Sequence, residues 1–326
     1  MFRSPLRRRT LPAAILFAGL AGLAGCAGSS ASGGFNPAVQ TAAAGPQTIE
    51  PAIIKHWLYI TDGSSNSVKI LKSTTYKKVG TITSGISGPA GDWLDNLGNL
   101  YVANASAGTV TEYAQGAATP SLTYNQNMHV PNAVTTDLHG NVYEADLGAG
   151  SNQGEVNEYF PTGGVVSCPP GLHSGGNTGA YGVAVDKKGD VFVTYGMAGS
   201  GGAAIDEFQS GISPSCNDYK LPITYSSPGG IAIDSAGDLV VCDPQSSIVY
   251  VIPPPYITVP RTIGSGFSKP TQVTLSKDNT RAFVTDAGNH TVTIVDYQTG
   301  ANIQVLGTAN GLSAPNGAVG EPNAVY

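Results

Sequence analysis

One short apolar phrase recurs along this chain and limits what it can fold into. Leu58-Tyr59-Ile60-Thr61-Asp62 returns as Leu100-Tyr101-Val102-Ala103-Asn104 and Val142-Tyr143-Glu144-Ala145-Asp146. It returns again as Val191-Phe192-Val193-Thr194-Tyr195, Leu239-Val240-Val241-Cys242-Asp243 and Ala282-Phe283-Val284-Thr285-Asp286. Successive end points are separated by 42, 42, 49, 48 and 43 residues. A period in the forties with several short strands per unit predicts a propeller, one small sheet per repeat.

Each repeat has a preceding half. Pro131-Asn132-Ala133-Val134 leads to Asp137-Leu138-His139-Gly140-Asn141, and Pro228-Gly229-Gly230-Ile231 leads to Asp234-Ser235-Ala236-Gly237-Asp238. The Asp-x-x-Gly-Asn/Asp run reads as a hairpin turn, in which Asp bonds its own backbone and Gly takes a positive φ. Six residues beyond four of the end points stand Val68, Val110, Val249 and Val292, each opening a third strand. A fourth, outer strand fills the gap before the next Pro. Ala314-Pro315-Asn316-Gly317-Ala318-Val319 is a first half without a second, and His56 to Asp62 is a second half without a first. Joined, they make one blade from both termini and close a ring that protects its sheet edges. The expectation is all-β: a six-bladed β-propeller of four-stranded antiparallel blades over residues 55–326.

Arg3, Arg7, Arg8 and Arg9 precede an apolar run from Leu11 to Leu23, followed by Leu23-Ala24-Gly25-Cys26. A basic start, a short apolar run and small residues read as a secretory signal, and the run is too short and too rich in Gly and Ala for a good membrane span. The tetrapeptide resembles the lipobox of bacterial lipoproteins. That resemblance implies a signal peptide over residues 1–25, cleavage before Cys26, and Cys26 as the lipidated first residue. It also implies residence in the bacterial cell envelope, with Ala27 favouring the outer membrane if the cell is Gram-negative. Residues 26–54, mostly Ala, Gly, Ser, Pro, Gln and Thr, read as a flexible tether.

Loss of the leader removes four of the 16 Lys+Arg and none of the 22 Asp+Glu, so the mature chain is strongly acidic. No basic stripe remains, which disfavours nucleic acid as a partner. The membrane is contacted only through the anchor. Charged residues make up 12% of the chain against 43 glycines, a balance that suits short strands and turns better than helices. Cys168 and Cys216 stand in similar turn-like contexts, and an oxidising envelope permits their pairing or leaves them apart. Cys242, in the apolar run 239–242, reads as a small buried hydrophobe.

The run Phe283-Val284-Thr285-Asp286-Ala287-Gly288-Asn289-His290-Thr291-Val292-Thr293-Ile294 resembles the repeat of NHL proteins, and the other blades agree with it over residues 56–326. Propellers of this kind include uncharacterised envelope proteins, gluconolactonase-like metal-dependent hydrolases and virginiamycin-type lyases. The enzymes carry a metal or a His/Glu set on the central axis. Here Asn132, Asn316 and Asp243 offer part of a calcium set, but no Glu stands at the start of an inner strand. His56, His129, His139, His173 and His290 fall at different repeat positions, so no zinc triad is expected. No Gly-x-Ser-x-Gly elbow or phosphate loop is present. No cofactor, metal or catalytic set is therefore assigned.

Candidate ligand contacts are the starts of first strands, Asn132, Tyr181, Gln272 and Asn316, and the ends of second strands, Asp146, Tyr195, Asp243 and Asp286. For the ring Asp62, Asn104, Asp146, Asp243 and Asp286, two roles stand open: capping the turn after the second strand, or facing a ligand. Trp57, Tyr59, Tyr101 and Tyr143 read as packing between blades. Val156 and Ile205 come ten residues after Asp146 and Tyr195, so blades three and four carry Gly-rich insertions at 147–154 and 196–202 that suit a binding surface. The functional expectation is a non-catalytic, lipid-anchored binding or scaffolding propeller, its partner an envelope protein or small ligand. The alternative is a metal-dependent lactonase or other hydrolase, or a lyase, acting at the central channel.

Overall fold

The computed structural model describes residues 56–149, 154–169, 179–196, 203–223, 225–259 and 261–320. The leader, Cys26, the tether, His173 and most of the two insertions lie outside the described residues.

The repeat folds as expected into six four-stranded antiparallel sheets. Blade one is built from both ends of the propeller: β24 (Pro315–Gly320), β1 (Trp57–Asp62), β2 (Ser67–Lys72) and β3 (Lys78–Ile82). Blade two comprises β4 (Pro89–Leu94), β5 (Leu100–Asn104), β6 (Thr109–Tyr113) and β7 (Leu122–Tyr124). Blade three follows with β8 (Pro131–Thr136), β9 (Val142–Asp146), β10 (Glu155–Tyr159) and β11 (Val165–Cys168). Blade four has β12 (Ala180–Val185), β13 (Val191–Tyr195), β14 (Ala204–Phe208) and β15 (Tyr219–Lys220). In blade five the strands are β16 (Ile231–Ile233), β17 (Leu239–Asp243), β18 (Ile248–Ile252) and β19 (Arg261–Thr262). Blade six completes the ring with β20 (Pro270–Leu275), β21 (Arg281–Asp286), β22 (Thr291–Asp296) and β23 (Asn302–Leu306).

The recurring phrase is the second strand of each blade. In β5, β9, β13 and β17 every residue is buried, because both faces of a blade are covered by its neighbours. Such strands read as continuous apolar runs with no alternation. Outer strands face solvent, as in β23, where four of five residues are exposed, and their sequence signal is correspondingly weak.

The six apolar clusters lie between adjacent blades. Leu58 and Ile60 of blade one pack with Phe283, Val292 and Ile294 of blade six. Tyr59 packs with Val102 and Tyr113 between blades one and two. Tyr143 and Val156 meet Val193 and Phe208 between blades three and four.

The first hairpins form by the mechanism read from sequence. Asp95 Oδ1 accepts the N–H groups of Leu97 and Asn99, and Asp137 Oδ1 those of His139 and Asn141. Asp186 and Asp234 repeat the pattern in blades four and five. Gly140 supplies the positive φ of 82°. Blade six departs from it: Ser276 Oγ accepts the Arg281 N–H, and Asn279 takes the left-handed conformation at φ 52°.

Ring closure is a direct backbone ladder, Leu58 opposite Gly320, Tyr59 opposite Val319 and Ile60 opposite Ala318. Cys168 at the end of β11 and Cys216 between β14 and β15 form a disulfide that joins blades three and four, with Cα atoms 5.5 Å apart. Cys242 is free and buried, and burial pushes its thiol well above the usual range.

Candidate functional site

The repeat brings the first residues of the inner strands to one mouth of the central axis. There they surround a funnel of about 490 Å³. Asn132, Tyr181, Gln272 and Asn316 all line it, from blades three, four, six and one, together with Lys269 and Thr271. These are the four residues expected at the starts of first strands.

Their amide nitrogens are committed to neighbouring backbones. Asn132 Nδ2 donates to the Tyr181 carbonyl at 2.5 Å, Asn316 Nδ2 to the Pro89 carbonyl at 2.8 Å, and Gln272 Nε2 to the Asn132 carbonyl at 3.4 Å. Each bond ties one blade to another and fixes an amide on a rigid strand. Among the described residues the amide oxygens of Asn132, Gln272 and Asn316 accept no protein hydrogen bond. The funnel therefore presents acceptors from three blades, the Tyr181 phenol and the Lys269 ammonium.

The other four candidates lie elsewhere. Asp146 and Asp243 are fully buried and Asp286 nearly so, with their carboxylates occupied by backbone donors. Asp146 accepts the N–H groups of His129, Val130 and Gly148 at 2.6–3.0 Å. Asp243 accepts those of Ser226, Ser227 and Ser246, and Asp286 those of Ser268, Lys269, Gly288 and Asn289. Asp62 does the same in blade one. Burial opposes its ionisation, but the N–H groups of Ser313, Ser65 and Ala314 and the Ser65 hydroxyl outweigh that and hold it below the ordinary carboxylate range. Asn104 is the neutral version, accepting the Ser87 N–H at 3.0 Å. In these five blades the side chain ties the loop entering the inner strand to the end of the second strand. Of the two roles open in the sequence, the structure shows the capping one, which removes these acids from the ligand-facing set.

Tyr195 is also fully buried, and its hydroxyl has no hydrogen-bond partner among the described residues. Burial first, and the Asp206 and Asp218 carboxylates second, push it well above the usual tyrosine range. It belongs to the wall between blades and not to the funnel. Among the described residues no three His, Cys, Asp or Glu stand together as a metal-binding group. His56, His129, His139 and His290 are exposed, and His139 lies 3.6 Å from Asp137.

Below the funnel runs a narrow channel of about 40 Å³. Its wall holds a group that the sequence reading missed. Asp92, on β4, is 4% exposed, and neither carboxylate oxygen has a hydrogen-bond partner among the described residues. The signal was present in the repeat. Asp92 stands opposite Val102, as Val134 stands opposite Glu144, Val183 opposite Val193, Ile231 opposite Val241, Val273 opposite Val284 and Ala318 opposite Ile60. Five blades place an aliphatic residue in this inner-strand column, and one places an acid.

The fold and site together define a six-bladed β-propeller with an axial funnel. Known structures share that architecture. A chain in the crystal structure of a nidogen/laminin complex superposes with a TM-score of 0.64 at 16% identity, covering 81% of this chain and 97% of that one. A protein of unknown function from Bacteroides caccae gives 0.62 at 13% identity, covering 82% and 99%. Virginiamycin B lyase from Staphylococcus aureus gives 0.54 at 13% identity, covering 74% and 77%. At these identities the likeness is one of fold. No protein-family model and no curated protein matches the sequence.

Proposed function

We propose that this chain is a lipid-anchored binding propeller of the bacterial cell envelope, taking a small polar ligand in the axial funnel. The observation that carries the reading is the convergence of Asn132, Tyr181, Gln272 and Asn316 on one cavity. Its volume falls in the range of small-molecule sites, and a few fixed polar groups in such a cavity set a ligand's orientation. Amide oxygens accept hydrogen bonds from hydroxyl or amine donors, and Tyr181 offers rigid contact area at low entropy cost. The anchor rests on the lipobox-like Leu23-Ala24-Gly25-Cys26.

A lyase is the second reading, carried by the fold shared with virginiamycin B lyase. It would rest on Tyr181 and Lys269 as the proton-transferring groups of the funnel, since the amides there cannot exchange protons at neutral pH.

The test has two arms. The Asn132→Ala/Tyr181→Ala/Asn316→Ala variant and the wild type are incubated with envelope extract and washed, and the retained small molecules are compared by mass spectrometry. The proposal expects a compound held by the wild type and lost from the variant with the ring still folded. Equal retention by both would place function outside the funnel. Cys26→Ala is expected to move the protein from the membrane to the soluble fraction, because two or more acyl chains hold a protein firmly and the variant would carry none. Tight membrane association of that variant would overturn the anchoring half.

A further inference from the structure

We propose that Asp92 anchors the cationic end of the ligand, and that this ligand is an organic molecule ending in a primary ammonium. The proposal deepens the funnel-binding reading and rests on it.

Three features of the axis carry it. The funnel and the channel adjoin, with Gly91 and Gln272 lining both and the Gln272 side chain, bonded to the Asn132 carbonyl, standing between them. At their junction the inner-strand positions are small in five blades, Gly91, Ala133, Gly182, Gly230 and Gly317, and only blade six contributes a longer side chain, Gln272. A Cβ on Gly91 would meet the Asn132 carbonyl oxygen at 2.7 Å, so this narrow passage has no room for a side chain there. Beyond the passage stands Asp92, with Gly317 of blade one beneath its carboxylate, where an added Cβ would come within 2.8 Å of Oδ1.

The carboxyl is buried, with no donor from another residue among the described residues. Burial pushes Asp92 well above the ordinary carboxylate range, opposed only by its own backbone N–H. The channel wall around it is Val183, Ile231 and Val273, with the hydroxyls of Thr135 and Thr274 and the Gln272 amide. Thr274 already donates its hydroxyl to the Ala318 carbonyl at 2.6 Å. A buried carboxylate is costly unless a cation and hydrogen-bond donors meet it. The fold does not require one here, since the other five blades carry Val, Ile or Ala in this column.

The chemistry of the missing partner follows from size and donor count. The channel is narrow, which suits the compact, point-like charge of an ammonium better than a planar guanidinium, whose five donors need a wider ring of acceptors than one acid and a few neutral oxygens. An ammonium carries three donors. One can go to Asp92 and the others to neutral oxygens such as the Gln272 amide. A hard divalent ion would look for six to eight oxygens, usually including several carboxylates, and this wall offers one acid. The funnel above gives the organic remainder of the molecule its place.

The experiment is calorimetric titration of the mature, folded chain with 1,5-diaminopentane, n-pentylamine and n-pentanol, on the wild type and on Asp92→Val and Asp92→Asn. Valine occupies the same column in blades three, four and six, so Asp92→Val is expected to fold, checked by a cooperative thermal transition. Both amines should bind the wild type, the alcohol about tenfold or more weakly, and both Asp92 variants should lose about tenfold or more in amine affinity. Equal amine binding by wild type and Asp92→Val, or no amine binding to the wild type, overturns the proposal and leaves the channel to water. If the funnel variant still loses its envelope ligand in that case, the amine inference has failed alone. If it does not, the funnel reading has failed as well.

Discussion

At the residue scale, buried carboxylates in this ring differ in what surrounds them. Those at the ends of second strands are satisfied by backbone N–H groups and hold loops in place. Asp206 on β14 is different: it is fully buried with no backbone donor on its carboxylate, and burial together with the neighbouring Asp218 carboxyl raises it to about 7 from 3.8. Between those two values the folded chain holds a proton that the unfolded chain has released. Wild-type stability therefore falls as pH rises from about 4 to about 7, and the contribution levels off above that window. Asp206→Asn should remove this slope. The variant should gain on the wild type by about 3 kcal/mol across the window in denaturant unfolding, with a constant difference above it. A difference that does not change between pH 4 and 7 would show that Asp206 does not hold the proton. Nothing in the local sequence Ala204-Ile205-Asp206-Glu207 marks this behaviour, because it comes from Asp218 twelve residues away and from burial by adjacent blades.

At the element scale, a strand was legible in proportion to how completely it is buried. β5, β9, β13, β17 and β21 stand out as apolar runs because neighbouring blades cover both faces. The first hairpins were legible because Asp and Gly make the turn with their own backbone. The outer strands β15 and β19, two residues each, carry almost no pattern, since they answer to solvent and to edge protection. Closure depends on a single element. β24 is the inner strand of blade one and packs on β4, β20 and β21 as well as pairing with β1. Deleting residues 312–326 removes it and leaves the edge of β1 unpaired. The truncated chain should lose its cooperative unfolding transition and collect in the insoluble fraction, although it keeps 23 of the 24 strands among the described residues. A soluble truncation with a sharp melt would show that the ring does not depend on this closure.

At the scale of the whole molecule, the ring is held by contacts between blades, and one covalent tie is added at its rim. The Cys168–Cys216 disulfide spans 48 residues. Constraining a loop of that length in the unfolded chain is worth about 4 kcal/mol. Cys168→Ser/Cys216→Ser should lower the melting temperature by roughly 10 °C. Adding a reductant should lower the wild type toward the variant and leave the variant unchanged. Equal melting temperatures under oxidising conditions would show that the bridge does not stabilise the ring.

The sequence by itself determined the number of blades, the order of strands, the joining of the termini and the four polar residues around the funnel. Each of these follows from a local pattern repeated at a fixed period, so one reading serves six times. Tertiary structure alone decided which acids hold a loop and which are buried without a donor. For Asp146, Asp243 and Asp286 the sequence left capping and ligand contact both open, and the backbone donors of the adjoining loops decide for capping. Asp92 was not singled out in the sequence, and it is the convergence of six inner strands that buries its carboxylate without a partner among the described residues. The state of a carboxylate is set by the donors and dielectric around it, and in a ring those arrive from blades far apart in the chain.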